Sequence, residues 1–411
     1  MTRGLIAIFC SVLAGACASV PETGRPAPWP DAVRDFATPE EAVRVAAQFP
    51  NSAGMLRRRL AAAIQAKDAV AASEALRRLA AMGAVLSEAS QAQAAALVPP
   101  DAMAAAESQF AANARPVVGS SPAFAVSPDH RLIEGLAIHP KLPELYVTSV
   151  VDRQLVAVHP HNGSRKLDIG SAGSLLGAVF DPRTQRLWAA SAVLDETPRS
   201  EGTFSGLISV DPANPAAAVR IPAPAGASPG DVAVAADGTV YASDGLNGAV
   251  YVCRPGCPEL GVLLPPGRLF SAQGMAVSED QSWLYVADRR YGIAAVERSS
   301  GRIVQVLGEP DMMLDGIDGL VRHRGDLIAT QTAYAPQRII RLRLSSDGTR
   351  VTRLDVLERA NPEWGEVTLA AAAGDRLLYV AGAQWERFGE GGVLKGEAPL
   401  RPTGIRMLKL K

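Results

Sequence analysis

The sequence predicts a mainly β protein that begins with an α-helical segment, and two features of the chain predict this class. From about residue 117 onward, short runs with alternating apolar positions are separated by Gly, Pro, Asp and Asn, which is typical of β-strands and turns. Between residues 38 and 115 the sequence is rich in alanine, and its apolar residues recur at helical spacing. We therefore divide the chain into a helical segment, 38–115, and a β domain, 117–411.

The composition excludes several classes of protein. Hydrophobic residues make up 48% of the 411 residues and charged residues 20%, which is too apolar for a disordered chain. The 41 basic and 42 acidic residues give a net charge of −1, so no overall field favours nucleic acid, and we expect no nucleic-acid partner. No apolar run is long enough to span a bilayer, so we expect membrane attachment only through an N-terminal lipid.

The first residues have the pattern of a secretory signal peptide, assigned to residues 1–17. Met1-Thr2-Arg3 is a short basic start, and the apolar stretch Gly4–Ala16 ends in small residues before Cys17. Two cleavage sites fit: a lipoprotein site that makes Cys17 the lipidated N-terminus, and an Ala-x-Ala site at Ala16-Cys17-Ala18. Either site predicts an extracytoplasmic protein, located in the periplasm or anchored as a bacterial lipoprotein.

The segment after the signal and the remaining cysteines agree with export. Residues 18–37 are Pro-rich, which suits a tether between a membrane surface and a folded body. In Cys253-Arg254-Pro255-Gly256-Cys257 a tight turn brings two cysteines within disulfide reach. The alternatives are a redox pair or half of a zinc site. The disulfide is favoured because no second Cys or His pair with ligand spacing follows.

Helix-start signals divide the segment 38–115 into short helices. Thr38-Pro39-Glu40-Glu41 supplies an N-cap, a proline at the first helical position and a carboxylate in the first turn. Further helices are predicted to begin near Ser52, Asp68 and Ser87. The paired helices resemble tetratricopeptide-type hairpins over about one and a half repeats, fewer than the three or so that a solenoid needs. We therefore expect this segment to pack against the β domain; a docking surface for another protein is the alternative.

Internal repetition is the strongest signal in the β domain. A short apolar strand, a polar turn and a second strand recur six times, roughly every 45 residues. A third strand follows in each repeat, and a fourth follows in five of them. The sixth repeat reaches the end of the chain without its fourth strand, whereas Pro122–Val126 precedes the first repeat as an extra strand. This pattern predicts a six-bladed β-propeller closed by its own two ends.

The first strand of each blade lines the central channel of a propeller, so the residues that lead these strands converge at one mouth. The leading residues are Glu134, Leu176, Gly230 followed by Asp231, Gln273, Asp318 and Glu366. Carboxylate and amide oxygens are ligands for hard cations, which favours calcium over zinc. A channel mouth can equally be wet and polar without binding anything, and this alternative stays open.

Certain phrases in the blades resemble a known family. Ile133-Glu134-Gly135-Leu136, Gln273–Ser278 and Asp318-Gly319-Leu320 are similar to sequences of the regucalcin/gluconolactonase-like propellers, close to the NHL and strictosidine-synthase-like groups, over residues 117–411. The resemblance implies Ca²⁺, or another hard divalent cation, held over the channel by a glutamate, asparagines and an aspartate. It also implies lactone hydrolysis, in which the cation polarises the carbonyl group and the aspartate helps to activate water.

Carried over by position, the family's glutamate falls on Glu134 and its catalytic, metal-binding aspartate on Asp318. One asparagine position holds Gln273, and the other holds Gly230, which has no side chain to ligate; Asp231 is the possible substitute. These departures put the metal site and substrate placement in doubt. Two functions therefore remain: a propeller that binds a small molecule, an envelope protein or a glycan, and a calcium-dependent lactonase or esterase.

Overall fold

The computed structural model describes residues 26–159, 163–199 and 203–410. The signal peptide, its lipidation site Cys17 and the first part of the tether lie outside these residues. Within the described chain no helix is long and apolar enough to cross a membrane.

Five α-helices in the described residues precede the strands. They are α1 (Pro39–Gln48), α2 (Ala53–Gln65), α3 (Ala69–Ala81), α4 (Glu88–Ala95) and α5 (Pro100–Asn113). The side chains of Thr38, Ser52, Asp68 and Ser87 accept hydrogen bonds from the first turns of α1 to α4, so these N-caps are where the sequence predicted them. The resemblance to tetratricopeptide hairpins is not confirmed.

The β domain is a six-bladed β-propeller. Its strands in chain order are β1 (Ser120–Val126); β2 (Ile133–Ile138), β3 (Leu145–Ser149), β4 (Gln154–His159) and β5 (Gly163–Leu167); β6 (Ser174–Asp181), β7 (Arg186–Ala192), β8 (Gly206–Val210) and β9 (Val219–Pro222); β10 (Val232–Val234), β11 (Val240–Asp244), β12 (Ala249–Cys253) and β13 (Gly261–Leu264); β14 (Ala272–Val277), β15 (Trp283–Asp288), β16 (Gly292–Glu297) and β17 (Ile303–Val306); β18 (Ile317–His323), β19 (Asp326–Gln331), β20 (Arg338–Leu344) and β21 (Val351–Arg359); β22 (Val367–Ala373), β23 (Arg376–Ala381) and β24 (Thr403–Lys409). Blades 1 to 5 are the five consecutive groups of four strands that start at β2.

Blade 6 joins the two ends of the β domain. Its strand order is β1-β24-β23-β22, so the N-terminal strand forms the outer edge of the last sheet, as predicted. The two strands are antiparallel, with Phe124 opposite Ile405 and Val126 opposite Thr403. First strands of neighbouring blades contact one another, and β2 contacts β22. The ring is therefore closed around a central channel.

Packing between blades and turn hydrogen bonds hold the sheets in place. Tyr146, Tyr241, Tyr285 and Tyr379 share one position of the repeat, and all are buried. In blade 3, Asp244 accepts hydrogen bonds from the backbone N–H groups of Ser228, Leu246 and Asn247. Asp288 does the same at the equivalent turn of blade 4. Both aspartates therefore anchor turns.

A disulfide bond closes the turn after β12. It joins Cys253 to Cys257, whose Cα atoms are 5.5 Å apart. The loop between them is the Arg-Pro-Gly turn that the sequence placed there.

The helical segment packs on the face of the propeller at blades 4 and 5. Asn51 donates from Nδ2 to the carbonyls of Glu309 (2.7 Å) and Met312 (2.9 Å). Beside it, the buried Phe49 stacks on Tyr291 of blade 4, with ring centroids 4.2 Å apart. These contacts confirm the expectation that the helices pack against the β domain.

The described part of the segment predicted as a tether, residues 26–37, also lies against blade 4. Pro28 forms a β-bridge with Val304, and the backbone N–H of Trp29 donates to the carbonyl of Ile303 (3.3 Å). The Trp29 side chain is 3% exposed. From residue 26 onward the chain is therefore part of the folded body.

Candidate functional site

Glycines let the first strands approach one another closely around the channel. A Cβ atom on Gly135 would lie 2.3 Å from the carbonyl oxygen of Leu176 in the next blade. A Cβ atom on Gly274 would lie 2.3 Å from the backbone nitrogen of Leu320. Because only glycine fits such contacts, the residues that precede these glycines, Glu134 and Gln273, are drawn toward the channel axis.

Glu134 and Glu366 lie at opposite ends of one tryptophan. The Trp385 indole donates from Nε1 to Oε2 of Glu134 (2.7 Å), and its backbone N–H donates to Oε2 of Glu366 (2.8 Å). Burial raises the pKa of Glu134 to about 8; the Trp385 hydrogen bond opposes this rise, and repulsion from neighbouring carboxylates adds to it. Those neighbours are Asp318, Glu366 and Asp231. The Trp385 hydrogen bonds therefore bring Glu134 and Glu366 close to one another.

Asp318 lies at the start of β18 and is held by two donors. The Arg289 guanidinium forms an ion pair with its Oδ1, and the Thr332 hydroxyl donates to its Oδ2. The Asp318 side chain is 14% exposed. Burial raises its pKa to about 6, against the attraction of Arg289, and repulsion from Glu366 adds to the rise.

Asp231 and Gln273 have their own partners. Asp231 accepts from the backbone N–H of Val232 (2.8 Å) and, in the next blade, from that of Met275 (3.3 Å). Burial raises the pKa of Asp231 to about 7. Asp231 lines a channel cavity of about 390 Å³, whereas Glu134, Gln273 and Asp318 do not line it. The Gln273 amide donates from Nε2 to Ser271 Oγ (2.8 Å).

A calcium ion would need about six to eight oxygen ligands around one point. The donor set, with carboxylate and amide oxygens, has the right chemistry. The described residues form no assembled coordination shell, because Arg289 pairs with Asp318 and Asp231 lines the channel cavity. In the described part of the chain, no group of three or more His, Cys, Asp or Glu residues could hold a metal ion. Calcium binding by Glu134, Gln273, Asp318 and Asp231 therefore stays a prediction.

Three residues of the site were not identified as site residues from the sequence: Arg289, Thr332 and Trp385. Each lies in a loop after the second strand of its blade, where the repeat has no fixed residue type. The only signal was at Trp385, which falls outside the aromatic position shared by the repeats and begins the long excursion 384–402.

Two long loops, one after the second strand of blade 2 and one after the second strand of blade 6, contact each other. The backbone N–H of Gly391 donates to the carbonyl of Asp195 (2.7 Å), and Glu390 forms an ion pair with Arg199. The described part of the blade 2 excursion, 193–199, thus meets the blade 6 excursion above blade 1. Because Trp385 belongs to the blade 6 excursion, this contact fixes the loop that positions Glu134 and Glu366.

Comparisons with known proteins found several solved structures with low similarity to this chain. The solved structures similar to this chain include a gluconolactonase from Xanthomonas campestris (19% identity, TM-score 0.48, 72% of this chain and 99% of that chain). They also include the calcium-binding protein regucalcin from Agrobacterium tumefaciens (17%, TM-score 0.49, 71% and 96%). A third is a PQQ-bound aldose sugar dehydrogenase from Streptomyces coelicolor (16%, TM-score 0.47, 72% and 99%). No protein-family model and no curated protein matches the sequence.

Proposed function

We propose that the channel mouth binds a polyhydroxylated small molecule, such as a sugar or a sugar lactone. The observation that carries this proposal is the placement of Glu134 and Glu366 at the two ends of Trp385, with Asp318 close enough to repel both. Carboxyl groups, ionised or not, offer several hydrogen-bond acceptor positions, so a mouth rich in them suits a ligand rich in hydroxyl donors. Trp385 is partly buried, and an indole ring at such a position can pack on the C–H surface of a sugar.

The binding test uses neutral probes, so that charge plays no part. The full chain is titrated with D-glucose, maltose and glucono-δ-lactone, with and without calcium, and Trp fluorescence and thermal melting are measured. A probe at 100 times its Kd should add about 2.7 kcal/mol to the free energy of unfolding. We expect Glu366→Gln to weaken binding about tenfold and the exposed Glu397→Gln to leave it unchanged. No response to any probe, or equal responses in both variants, would contradict the proposal.

Hydrolysis of a lactone or ester is the second candidate, and the unequal surroundings of Asp318 and Glu134 favour it. Asp318 has Arg289 as a fixed counter-ion, whereas Glu134 has no ion-pair partner in the described residues. An ionised Asp318 would take a proton from an attacking water, and a protonated Glu134 would donate one to the leaving oxygen. We expect Asp318→Asn to abolish hydrolysis of glucono-δ-lactone, followed by pH-stat, while Asp168→Asn, on the outside of blade 1, leaves it unchanged.

We also propose that the chain is exported and anchored through Cys17. The signal pattern before Cys17 supports this, and a disulfide such as Cys253–Cys257 is typical of an oxidising compartment. The test is metabolic labelling with a radioactive fatty acid in a bacterial host. Labelling that is lost in Cys17→Ser is expected. An unlabelled protein cleaved after Ala18 would support the ordinary signal-peptidase site instead.

A further inference from the structure

We infer that a second pocket, beside the channel mouth, binds the anionic group of a small ligand, either a phosphate or a carboxylate. The pocket has a volume of about 370 Å³ and lies where α2 meets blades 4 and 5. Arg57 and Arg58 line it from α2, and Arg289 and Arg290 line it from the turn after β15. No Asp or Glu is among its lining residues. The inference is independent of the proposed sugar site.

The positive charge of this pocket is mostly uncompensated. Arg289 is paired with Asp318. The ion pairs found among residues 26–159, 163–199 and 203–410 include none with Arg57, Arg58 or Arg290. Three guanidinium groups, Arg57 and Arg290 partly buried and Arg58 exposed, thus line one hollow without a carboxylate partner, and together they give it a positive potential that attracts an anion.

Asp315 lies beneath the pocket, but its carboxylate already accepts hydrogen bonds from neighbouring residues of the fold. Its two carboxylate oxygens accept hydrogen bonds from the Ser52 hydroxyl (2.9 Å), the backbone N–H groups of Ala53 (2.9 Å) and Gly54 (2.8 Å), and the Tyr334 hydroxyl (3.0 Å). The side chain is fully buried. Asp315 therefore ties α2 to the propeller, and its acceptor positions are taken by these four donors.

Contacts with its own neighbours fix Arg290 in place. Its Nη1 donates to the carbonyls of Val33 (3.1 Å) and Arg34 (2.7 Å), and the guanidinium lies 3.3 Å from the ring centroid of Phe270. Stacking on Phe270 holds the guanidinium plane against the pocket wall. A ligand that meets Arg290 consequently loses little side-chain entropy on binding.

Arg57 has a donor without a partner. Its Nη2 donates to the carbonyl of Val85 (3.1 Å), and the guanidinium lies 5.1 Å from the ring centroid of Tyr334. Its Nε is buried and has no hydrogen-bond partner among the described residues. Burial lowers the pKa of Arg57, against the attraction of Tyr334 and Asp315. The Arg57 guanidinium lines the pocket, and a charged donor of this kind forms strong hydrogen bonds with an anionic oxygen.

The shape of the donors selects the ligand chemistry. Guanidinium groups present parallel N–H donors that match the paired oxygens of a phosphate or a carboxylate. The cavity is large enough for a small metabolite that carries such a group. Phosphate and carboxylate share this chemistry, and the experiment distinguishes them.

The test is calorimetric titration of the full chain with inorganic phosphate and, separately, with citrate, at low ionic strength. We expect at least one anion to bind, and we expect Arg58→Gln and Arg57→Gln each to weaken that binding about tenfold. Arg58 makes fewer contacts within the fold than Arg57 does, so Arg58→Gln should disturb folding less than Arg57→Gln. Circular dichroism checks that both variants are folded. Arg59→Gln is the matched control, because Arg59 is on the same helix but lines a different hollow, beside Pro39 and Ala66.

Each outcome decides the inference. Arginine-dependent binding of phosphate alone assigns the pocket to phosphorylated ligands, and arginine-dependent binding of citrate alone assigns it to carboxylates. Binding that falls equally in Arg58→Gln and Arg59→Gln would show only general attraction to a basic surface and would overturn the inference. The absence of binding of either anion at 10 mM, an order of magnitude above a modest Kd of about 1 mM, would also overturn it.

Discussion

The buried carboxyl groups at the channel mouth reduce the stability of the fold, and Glu134 shows how. Its pKa is raised to about 8, so the folded protein holds a proton that the unfolded chain releases near its ordinary pKa of about 4.3. At a pH below both pKa values, Glu134 is protonated in both states and does not change the free energy of unfolding. As the pH rises toward 8, the unfolded state binds fewer protons than the folded state, and stability falls. Such a loss of folding stability at the channel mouth is expected of a site that serves binding rather than stability.

The Glu134→Gln variant should therefore be more stable than the wild type at high pH. Gln cannot ionise but retains an oxygen that accepts from Trp385. The gain in the free energy of unfolding should be small at pH 4.5, grow as the pH rises, and reach on the order of 2 kcal/mol at pH 8. Urea unfolding from pH 4.5 to 8.5 in the presence of EDTA measures it. The exposed Glu397→Gln is the control; parallel curves for the wild type and Glu134→Gln would contradict this account.

Close backbone contact around the channel gives a second prediction at single-residue scale. In Gly274→Ala the new methyl group would meet the backbone of the next blade, 2.3 Å from Leu320 N and 2.7 Å from Asp318 O. Because backbone cannot move aside as a side chain does, we expect a loss of about 1–3 kcal/mol. Gly230→Ala is the control, since its nearest atom is 3.8 Å away. Equal urea midpoints for the two variants would show that the blades separate easily.

At the scale of elements, the sequence predicted the helix starts that are fixed by residues close to them in the chain. The caps of α1 to α4 are single side chains that bond their own first turns, so the sequence showed them. The helix α5 was not separated from its alanine-rich surroundings, and it has no side-chain cap. The packing of residues 26–37 was not visible either. Proline-rich composition describes the local chain, whereas the burial of Trp29 is a tertiary contact with blade 4.

The docking of α1 on blade 4 depends on one aromatic cluster. Phe49 is 1% exposed, stacks on Tyr291 and meets the Trp29 ring edge-on at 5.4 Å. Phe49→Ala should therefore cost about 3–5 kcal/mol in urea unfolding and expose the segment before α2 to limited proteolysis. The control is Val43→Ala, a half-exposed residue of α1, for which we expect less than about 1 kcal/mol. Unchanged proteolysis in Phe49→Ala would mean that other contacts hold α1.

At the scale of the whole molecule, the symmetry of the repeat made the site partly predictable. Glu134, Asp318 and Glu366 are far apart in the chain, yet equal positions in the repeat predicted that they would converge. Hydrogen bonds from Trp385 to both Glu134 and Glu366 bring two of the three together. Arg289 and Trp385 could not be found in this way. They lie in loops whose length differs from blade to blade, so no repeat position fixes their direction. The strand pattern that the blades share thus encodes the fold. The loops that differ between blades supply much of the chemistry of the site.

The union of the helical segment and the propeller gives the last prediction, because a fully buried carboxylate, Asp315, is among the groups that join them. In Asp315→Ala the backbone N–H groups of Ala53 and Gly54 and the hydroxyl of Tyr334 lose their acceptor. We expect a loss of about 2–4 kcal/mol, since buried donors are left unpaired. Helix loss at 222 nm should then precede loss of near-ultraviolet aromatic signal, whereas the two coincide in the wild type.

The control for Asp315→Ala is Asp68→Ala, which removes the exposed N-cap of α3 without touching the propeller. That change should cost about 1 kcal/mol and leave the two signals coincident. If Asp315→Ala also melts in one step, the apolar contacts around Phe49 and Met313 are sufficient to join the two parts, and the carboxylate only orients α2. If the wild type itself melts in two steps, the helical segment is a separate folding unit and the proposed coupling through Asp315 is wrong.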